Sequence, residues 1–505
     1  MNGPPVDVGL RLRVRERVVV HVDSVAARWI GALALFCAAC WMIVILARHH
    51  HHPEWHSAGR LAWSLTVLAA VALIARGVFL GRPVTAMHAT AAALFLLAGL
   101  ASHVLAFDLL GDLLIASSGM VLMWSTSSRP KPADLPRVWR LINATTADPL
   151  APFAMQTGKS YHFTAAGTAA LAYRTRMGYA VIGGDPIGDE EQFPELVADF
   201  AAMCHTRGWR IAVVGCSEQR LSLWTDPAVL GQSLRAIPIG RDVVVDVSGF
   251  DMVGRKFRNL RQAVMRTHNS GITTEIVAEQ ELDDEQVAEL ADVVRASPSG
   301  AHTDRGFYMN LDGALERRFP GILLIIARDA SGQVQGFHRY ATAGGGSDVT
   351  LDVPWRRRGA PNGIDERLSI DMIAAAKDAG AQRVSLSFAA FPELFDGPQS
   401  RRLDRLFYRL IHLLDPLITL ESLYRYVRKF HALDARRYAL VSMTQIIPLV
   451  LVLLSLEFMP RRRHLRAVKT SRAYMYFVAA NVFGQVVSSH QHCPLCGHQP
   501  AIRAQ

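Results

Sequence analysis

Residues 349–390 read as one unit: an apolar run at 349–353, a loop rich in Arg, Gly and Pro, an amphipathic stretch at 364–379, and a second apolar run at 383–388. Strand, loop, helix and strand in that order make an α/β unit whose candidate site is the loop–helix junction. The first turn of a helix presents unpaired N–H groups and partial positive charge, which favours anions. Arg356, Arg357 and Arg358 add full charges to it. Glu366 and Asp371 lie just inside the predicted helix. Five residues apart, they are offset by about 140° around it, so one can face the site while the other orients a partner.

The rest of the chain is unevenly apolar. It has 505 residues, enough for two or three domains, and is 50% hydrophobic. The apolar excess sits at 26–124, in runs at 26–47, 61–80, 84–105 and 107–124. These predict a block of about four membrane helices. Arginines precede the first run, Arg76 and Arg82 flank the loop between the second and third, and Arg129, Lys131, Arg137 and Arg140 follow the last. The positive-inside rule then places both ends of the block in the cytoplasm, which predicts an inner (cytoplasmic) membrane location. The net charge of +10 suits such a protein, and also a partner that is anionic lipid or nucleic acid. The six cysteines form no disulfide framework. His49 to His52 read as an exposed loop, and His490, His492, Cys493, Cys496 and His498 give a weak zinc signal, so no metal site is assigned.

The predicted organisation is a basic N-terminus at 1–25, the membrane block at 26–124, a linker at 125–140, mixed α/β halves at 141–270 and 271–440, and a tail at 441–505. In the first half, strands are expected at 161–163, 169–174, 179–182, 211–215 and 243–247, with helices at 191–206 and 251–267, the second of them basic. In the second, strands are expected at 272–277, 322–328, 334–342 and 348–353, with helices at 282–296 and 311–318. Hairpins are expected at 329–333 and at Gly344 to Gly346. Antiparallel strands followed by a loop–helix–strand unit fit an acyltransferase-like α+β fold better than a doubly wound sheet. Residues 424–437 read as a second basic helix with interleaved aromatics. The apolar run at 446–458 is short for a span and reads as a buried or interfacial helix, and 474–487 as an interfacial one.

Several chemistries lack their motifs. Gly158-Lys159-Ser160 has no upstream P-loop glycine, and neither GxSxG, HExxH nor a dinucleotide glycine fingerprint after a strand occurs. A cationic loop, a helix N-terminus and carboxylates remain, a set suited to group transfer from an anionic donor. Arg356-x-x-Gly359-x-Pro361 approximates the phosphate loop of N-acetyltransferases but carries proline at the last position.

Several stretches, in order, resemble a known family. They are Gly158-Lys159-Ser160-Tyr161-His162-Phe163, Gly183-Gly184-Asp185-Pro186-Ile187-Gly188, Val245-Asp246-Val247 with Lys256-Phe257-Arg258-Asn259-Leu260-Arg261, and Arg305-Gly306-Phe307. Ala360-Pro361-Asn362-Gly363 with Glu366 and Asp371 follows, then Tyr424-Arg425-Tyr426, Lys429-Phe430-His431 and Arg437-Tyr438. Over about 140–440 the chain resembles the catalytic domain of phosphatidylglycerol lysyltransferases of the multiple peptide resistance factor type, also called domain of unknown function 2156. The resemblance implies a tandem N-acetyltransferase-like (dupli-GNAT) catalytic domain, here preceded by a transmembrane block. It implies transfer of an aminoacyl group, lysyl or similar, from aminoacyl-tRNA to phosphatidylglycerol, with no cofactor, because the aminoacyl ester is already activated. On this reading Glu366 and Asp371 are the catalytic carboxylates. Arg356, Arg357, Arg358, Asn362, Gly363, Arg305, Lys256, Arg258, Tyr424, Arg425 and Lys429 bind substrate. The long flippase part and the fused lysyl-tRNA synthetase of some members are not seen here. Two other readings stay open: a transferase of the same fold with another acceptor or an acyl-coenzyme A donor, and a non-catalytic membrane protein that binds lipid or tRNA.

Overall fold

The computed structural model of the chain describes residues 18–20, 84–105, 107–297, 310–392, 420–443 and 446–458. The runs at 26–47 and 61–80, His49 to His52, Arg305-Gly306-Phe307, the stretch 474–487 and the terminal Cys/His group lie outside them. The chain divides into two compact units: Met1–Ser128 with Thr175–Ala180 and Phe200–Ile211, and Arg129–Arg174 with Val181–Asp199 and Ala212–Gln505.

In the first unit, the apolar runs predicted at 84–105 and 107–124 fold as α1 (Ala86–Val104) and α2 (Asp108–Met123). A Cβ on Gly99 would lie 2.8 Å from Ile115 Cγ1 and 2.9 Å from the Gly111 carbonyl, so the two helices approach closely there. Leu94, Leu97, Val104, Leu105, Phe107, Leu113, Met120 and Trp124 are exposed. Among the described residues no helix is long and apolar enough to cross a membrane. With 16 residues, α2 extends for about 24 Å, less than a bilayer core, and it begins on Asp108.

A twelve-stranded mixed sheet dominates the second unit. Its strands are β1 (Ser160–Phe163), β2 (Ala169–Arg176), β3 (Tyr179–Gly183), β4 (Ile187–Gly188), β5 (Arg210–Ser217), β6 (Arg235–Asp246), β7 (Thr273–Ala278), β8 (Ile322–Arg328), β9 (Val334–Ala343), β10 (Asp348–Arg356), β11 (Arg383–Ala390) and β12 (Leu433–Val441). The spatial order is β1-β2-β3-β5-β12-β6-β11-β10-β9-β8-β7, with β4 on β2. Strands from either side of residue 270 therefore alternate at the centre, where β12 lies between β5 and β6, and β6 pairs with β11.

The helices are α3 (Leu135–Ala144), α4 (Phe193–Thr206), α5 (Arg258–Asn269), α6 (Asp284–Ala296), α7 (Ile364–Asp378), α8 (Leu420–Val427) and α9 (Ile446–Phe458). Asp283 and Gln286 form a capping box at the start of α6. Leu260 and Val264 of α5, Leu368 and Met372 of α7, and Tyr424 and Val427 of α8 share one core with Val243, Val349 and Val384 of the sheet. Phe337 and Trp355 instead pack with Leu290 and Val293 of α6. Strand β9 is thus covered on both faces, which is why it is buried almost throughout.

Two expectations are corrected. No helix forms at 311–318, where Gly313, Leu315 and Arg317 all have positive φ, incompatible with a right-handed helix. The basic helix expected over 424–437 stops at Val427, passes through a short 3-10 turn, Arg428–Phe430, and reverses at left-handed His431 (φ 52°) into β12.

Candidate active site

The parallel strands β10 and β11 pair only at Asp348↔Arg383, Val349↔Val384 and Thr350↔Ser385. Beyond Thr350, β10 continues along β9 to Arg356, while β11 runs along β6, so a gap opens in the sheet. The chain leaving β10 supplies the arginine loop and then enters α7. Gly363 caps α7 at φ 105°, and a Cβ there would lie 2.8 Å from the Ala263 carbonyl of α5. Glycine satisfies both demands at once.

Arg356, Arg357, Arg358, Gly359, Ala360 and Asn362 line an open concavity of about 400 Å³. Arg357 is tied down: its backbone N–H donates to the Gln335 carbonyl at 2.9 Å, and its Nε to the Val334 carbonyl at 2.8 Å. The Arg356 Nε lies 3.5 Å from Asp365 Oδ2. Arg358 is exposed.

The carboxylates of α7 face different partners. Glu366 is buried and ion-paired with Lys429 of the 3-10 turn after α8. Asp371 accepts from Arg367 Nε and from Thr274 Oγ1 of β7, each at 2.6 Å. The two are thus held by separate sets of groups. A third acid, Asp365, stands between His338 Nε2 at 3.3 Å and Arg356. Burial alone would raise its carboxyl, but the His338 hydrogen bond and the charges of Arg356 and Lys429 hold it below the ordinary carboxylate range.

The other sequence-selected residues scatter. Lys256 is exposed, with its Nζ 4.8 Å from the Phe257 ring centroid and its carbonyl 3.3 Å from His431 Nε2. Arg258 opens α5 on the surface, and Arg425 and Asn362 are exposed. Tyr424, chosen as a binding residue, is buried in the core, where its ring packs rather than meeting solvent. Sequence reasoning passed over Asp365, His338, Tyr340 and Ser369. Asp365 neighbours Glu366, and His338 and Tyr340 alternate along β9, so a period-two reading of that strand would have put them on one face.

Arg437 explains the end of the domain. Fully buried on β12, it pairs with Asp148 at 2.7 Å, Asp185 at 3.0 Å and Asp242 at 2.7 Å. Arg339 of β9, equally buried, pairs with Glu279 and with Asp352 at 2.7 Å. Buried guanidinium groups need such multiple acceptors. Among the described residues no group of His, Cys, Asp and Glu is arranged to hold a metal ion.

The family model described as "Phosphatidylglycerol lysyltransferase, C-terminal" matches residues 139–441, which contain the gap, the loop and all three acids. The chain belongs to this family. Its matched segment carries the twelve-stranded mixed sheet. It is 76% identical over 462 residues to an MprF-like domain protein of Mycobacterium tuberculosis, covering 92% of this chain and 96% of that one. It is 28% identical over 430 residues to the lysylphosphatidylglycerol biosynthesis bifunctional protein LysX of Mycobacterium bovis, covering 84% of this chain but only 34% of LysX. The fold is similar to the C-terminal domain (DUF2156) of a putative lysylphosphatidylglycerol synthetase from Agrobacterium fabrum, with a TM-score of 0.54 and 22% identity over 67% of this chain and 100% of that one. It is also similar to L-PGS from Bacillus licheniformis, with a TM-score of 0.56 and 17% identity over 66% of this chain and 98% of that one.

Proposed function

We propose that the chain is a membrane-bound aminoacyltransferase that moves a lysyl or similar aminoacyl group from aminoacyl-tRNA to phosphatidylglycerol. The observation that carries this reading is the cationic concavity at the N-terminus of α7, with Asp365 paired to Arg356 of its lining, inside the segment that matches the family. A glycerol hydroxyl of the lipid attacks the ester carbonyl. A new C–O bond forms, the C–O bond to the tRNA ribose breaks, and the hydroxyl proton ends on the ribose oxygen. The donor ester is already activated, so the step consumes no nucleotide, and catalysis is positioning and charge stabilisation.

In this reading Arg356, Arg357 and Arg358 take phosphate, with Asn362 and Gly363 shaping the loop. Glu366 anchors an amine or acts as base, and Asp371 supports the helix through Arg367 and Thr274. Lys256, Arg258 and Arg425 offer exposed charge to the tRNA acceptor end, and Arg305 belongs to the same set. Residues 141–270 and 271–440 form the two halves of a dupli-GNAT domain. The four apolar runs within 26–124 hold it at the cytoplasmic face of the inner membrane, beside its lipid.

The test is a lipid extract from a host lacking aminoacylated lipids, expressing either the full chain or its Glu366→Ala, Asp371→Ala variant. The expected outcome is a new ninhydrin-positive cationic phospholipid from the wild type alone. Abundant protein with no new lipid would overturn phosphatidylglycerol as the acceptor.

A further inference from the structure

Beneath the first turn of α7 lies a closed ring of polar contacts that the proposed reaction has not yet used. The Asp365 carboxylate meets His338 Nε2 at 3.3 Å, and His338 Nδ1 meets the Tyr340 hydroxyl at 3.5 Å. That hydroxyl lies 3.3 Å from Ser369 Oγ, and Ser369 bonds the Tyr426 hydroxyl. Tyr426 returns to the Asp365 carbonyl at 3.4 Å. Three elements contribute: β9, α7 and α8. His338, Tyr340 and Ser369 are wholly buried.

A carboxylate only accepts, so His338 Nε2 donates to Asp365. The hydroxyls of Tyr340, Ser369 and Tyr426 continue the contacts behind it, and Tyr426 donates to the Asp365 carbonyl. Asp365 is therefore held from behind by the buried His338 ring. Its cationic neighbour in front is Arg356, 46% exposed, at 3.5 Å the longest of the ion pairs on α7. The side chain of Asp365 is 23% exposed, against 9% for Glu366 and 17% for Asp371. It is the most accessible of the three acids and the one beside the concavity.

We propose that Asp365, rather than Glu366 with its Lys429 partner, is the ammonium anchor of the site, receiving the aminoacyl amine in place of Arg356, and that His338 is its positioning residue. Arg356, released from Asp365, turns to the concavity it lines and is available there to an anionic group. The proposal rests on the aminoacyl-transfer reading for its substrate class, but its first test does not. The charged and titratable groups facing Asp365 are His338 and Tyr340 from β9, Arg356 from the loop, Lys429 and Tyr426 from α8 and the turn after it, and Glu366 from α7 itself.

The full chain in detergent is titrated with L-lysinamide, and transfer from lysyl-tRNA to phosphatidylglycerol vesicles is followed across pH. The wild type binds lysinamide, and Asp365→Asn weakens that binding at least tenfold. His338→Leu moves the acid limb of kcat/KM upward by about one pH unit, because the carboxylate loses its donor. His338→Gln, whose amide still donates, restores part of the shift. Tyr426→Phe, which removes a hydroxyl from Ser369 and from the Asp365 backbone carbonyl, lowers thermal stability but leaves the acid limb in place, since Tyr426 does not touch the Asp365 carboxylate. Lysinamide binding without lipid product leaves the anchor standing and removes the transfer reading. No lysinamide binding by the wild type, equal binding by Asp365→Asn, or a His338→Leu variant that loses stability with its acid limb unmoved would overturn the proposal.

Discussion

Arg437 shows how one side chain ties distant parts of the chain together. Its three carboxylate partners lie 195 to 289 residues away in sequence for Asp242 and Asp148, with Asp185 between. Removing one partner of a buried ion pair typically costs about 3–5 kcal/mol, and here one guanidinium serves three acids. The cluster also sets a pH dependence. Burial raises the Asp242 carboxyl to about 6 against the pull of Arg437, whereas an unfolded aspartate titrates near ~4. Between those values the folded chain holds a proton that the unfolded chain has lost. The stabilising contribution of the group is therefore complete only below about pH 4 and is lost as pH rises from there through about 6. Asp242→Asn removes this titration. Thermal unfolding should show the difference in Tm, wild type minus variant, falling between pH 4 and pH 7. A difference that is flat or rises would mean that Asp242 titrates like an exposed acid.

At the scale of elements, α7 depends on a backbone position no side chain can fill. Gly363→Ala adds a Cβ at φ 105° against the Ala263 carbonyl, so either the cap or the α5–α7 contact must give. The expected cost is about 2 kcal/mol or more. Hydrogen exchange should localise it as faster exchange of amides in the first turn of α7, with β1 and β2 unchanged, and uniform acceleration would mean a global effect instead. The same element was legible in the sequence to within a residue, because Gly363 and Gly380 bracket a helical period. Strands β8 and β9 were equally plain, as apolar runs joined by a short polar turn. Strand β6 was half seen: Pro238 and Gly240 break its pattern, yet Gly240 is there because Phe388 and the Ala389 carbonyl of β11 come so close. Strand β12 was hidden, because Arg436 and Arg437 looked like a solvated helix face. The charge of Arg437 is instead neutralised by acids remote in sequence. The site divides in the same way. The arginine loop and Glu366 are local features and could be read directly, whereas the ring at Asp365 requires β9 and α8 to meet across α7.

At the scale of the whole molecule, the apolar surface of α1 and α2 has to be covered. Monomeric soluble proteins seldom leave this many large apolar side chains exposed on one helical pair. The close approach at Gly99 and Gly111 is the small-residue contact by which helices associate in lipid, where apolar surface gains nothing by turning inward. The charge of the chain points the same way, since a net +10 favours an anionic bilayer surface. Two modes of attachment are thereby separable. A chain held by charge alone leaves membranes at about 1 M salt, where screening acts over only ~3 Å. A chain held by buried apolar helices does not. The expected outcome is that the full-length protein stays with the membrane pellet through high salt and alkaline carbonate and is released by detergent. Replacing Leu94, Leu97, Leu113 and Met120 together with glutamine should move it to the supernatant, while the lipid substrate of the α7 site would then have to be supplied in detergent for transfer to proceed. Release of the unaltered chain by salt would place its attachment in the basic surface and leave the apolar faces of α1 and α2 to a protein partner.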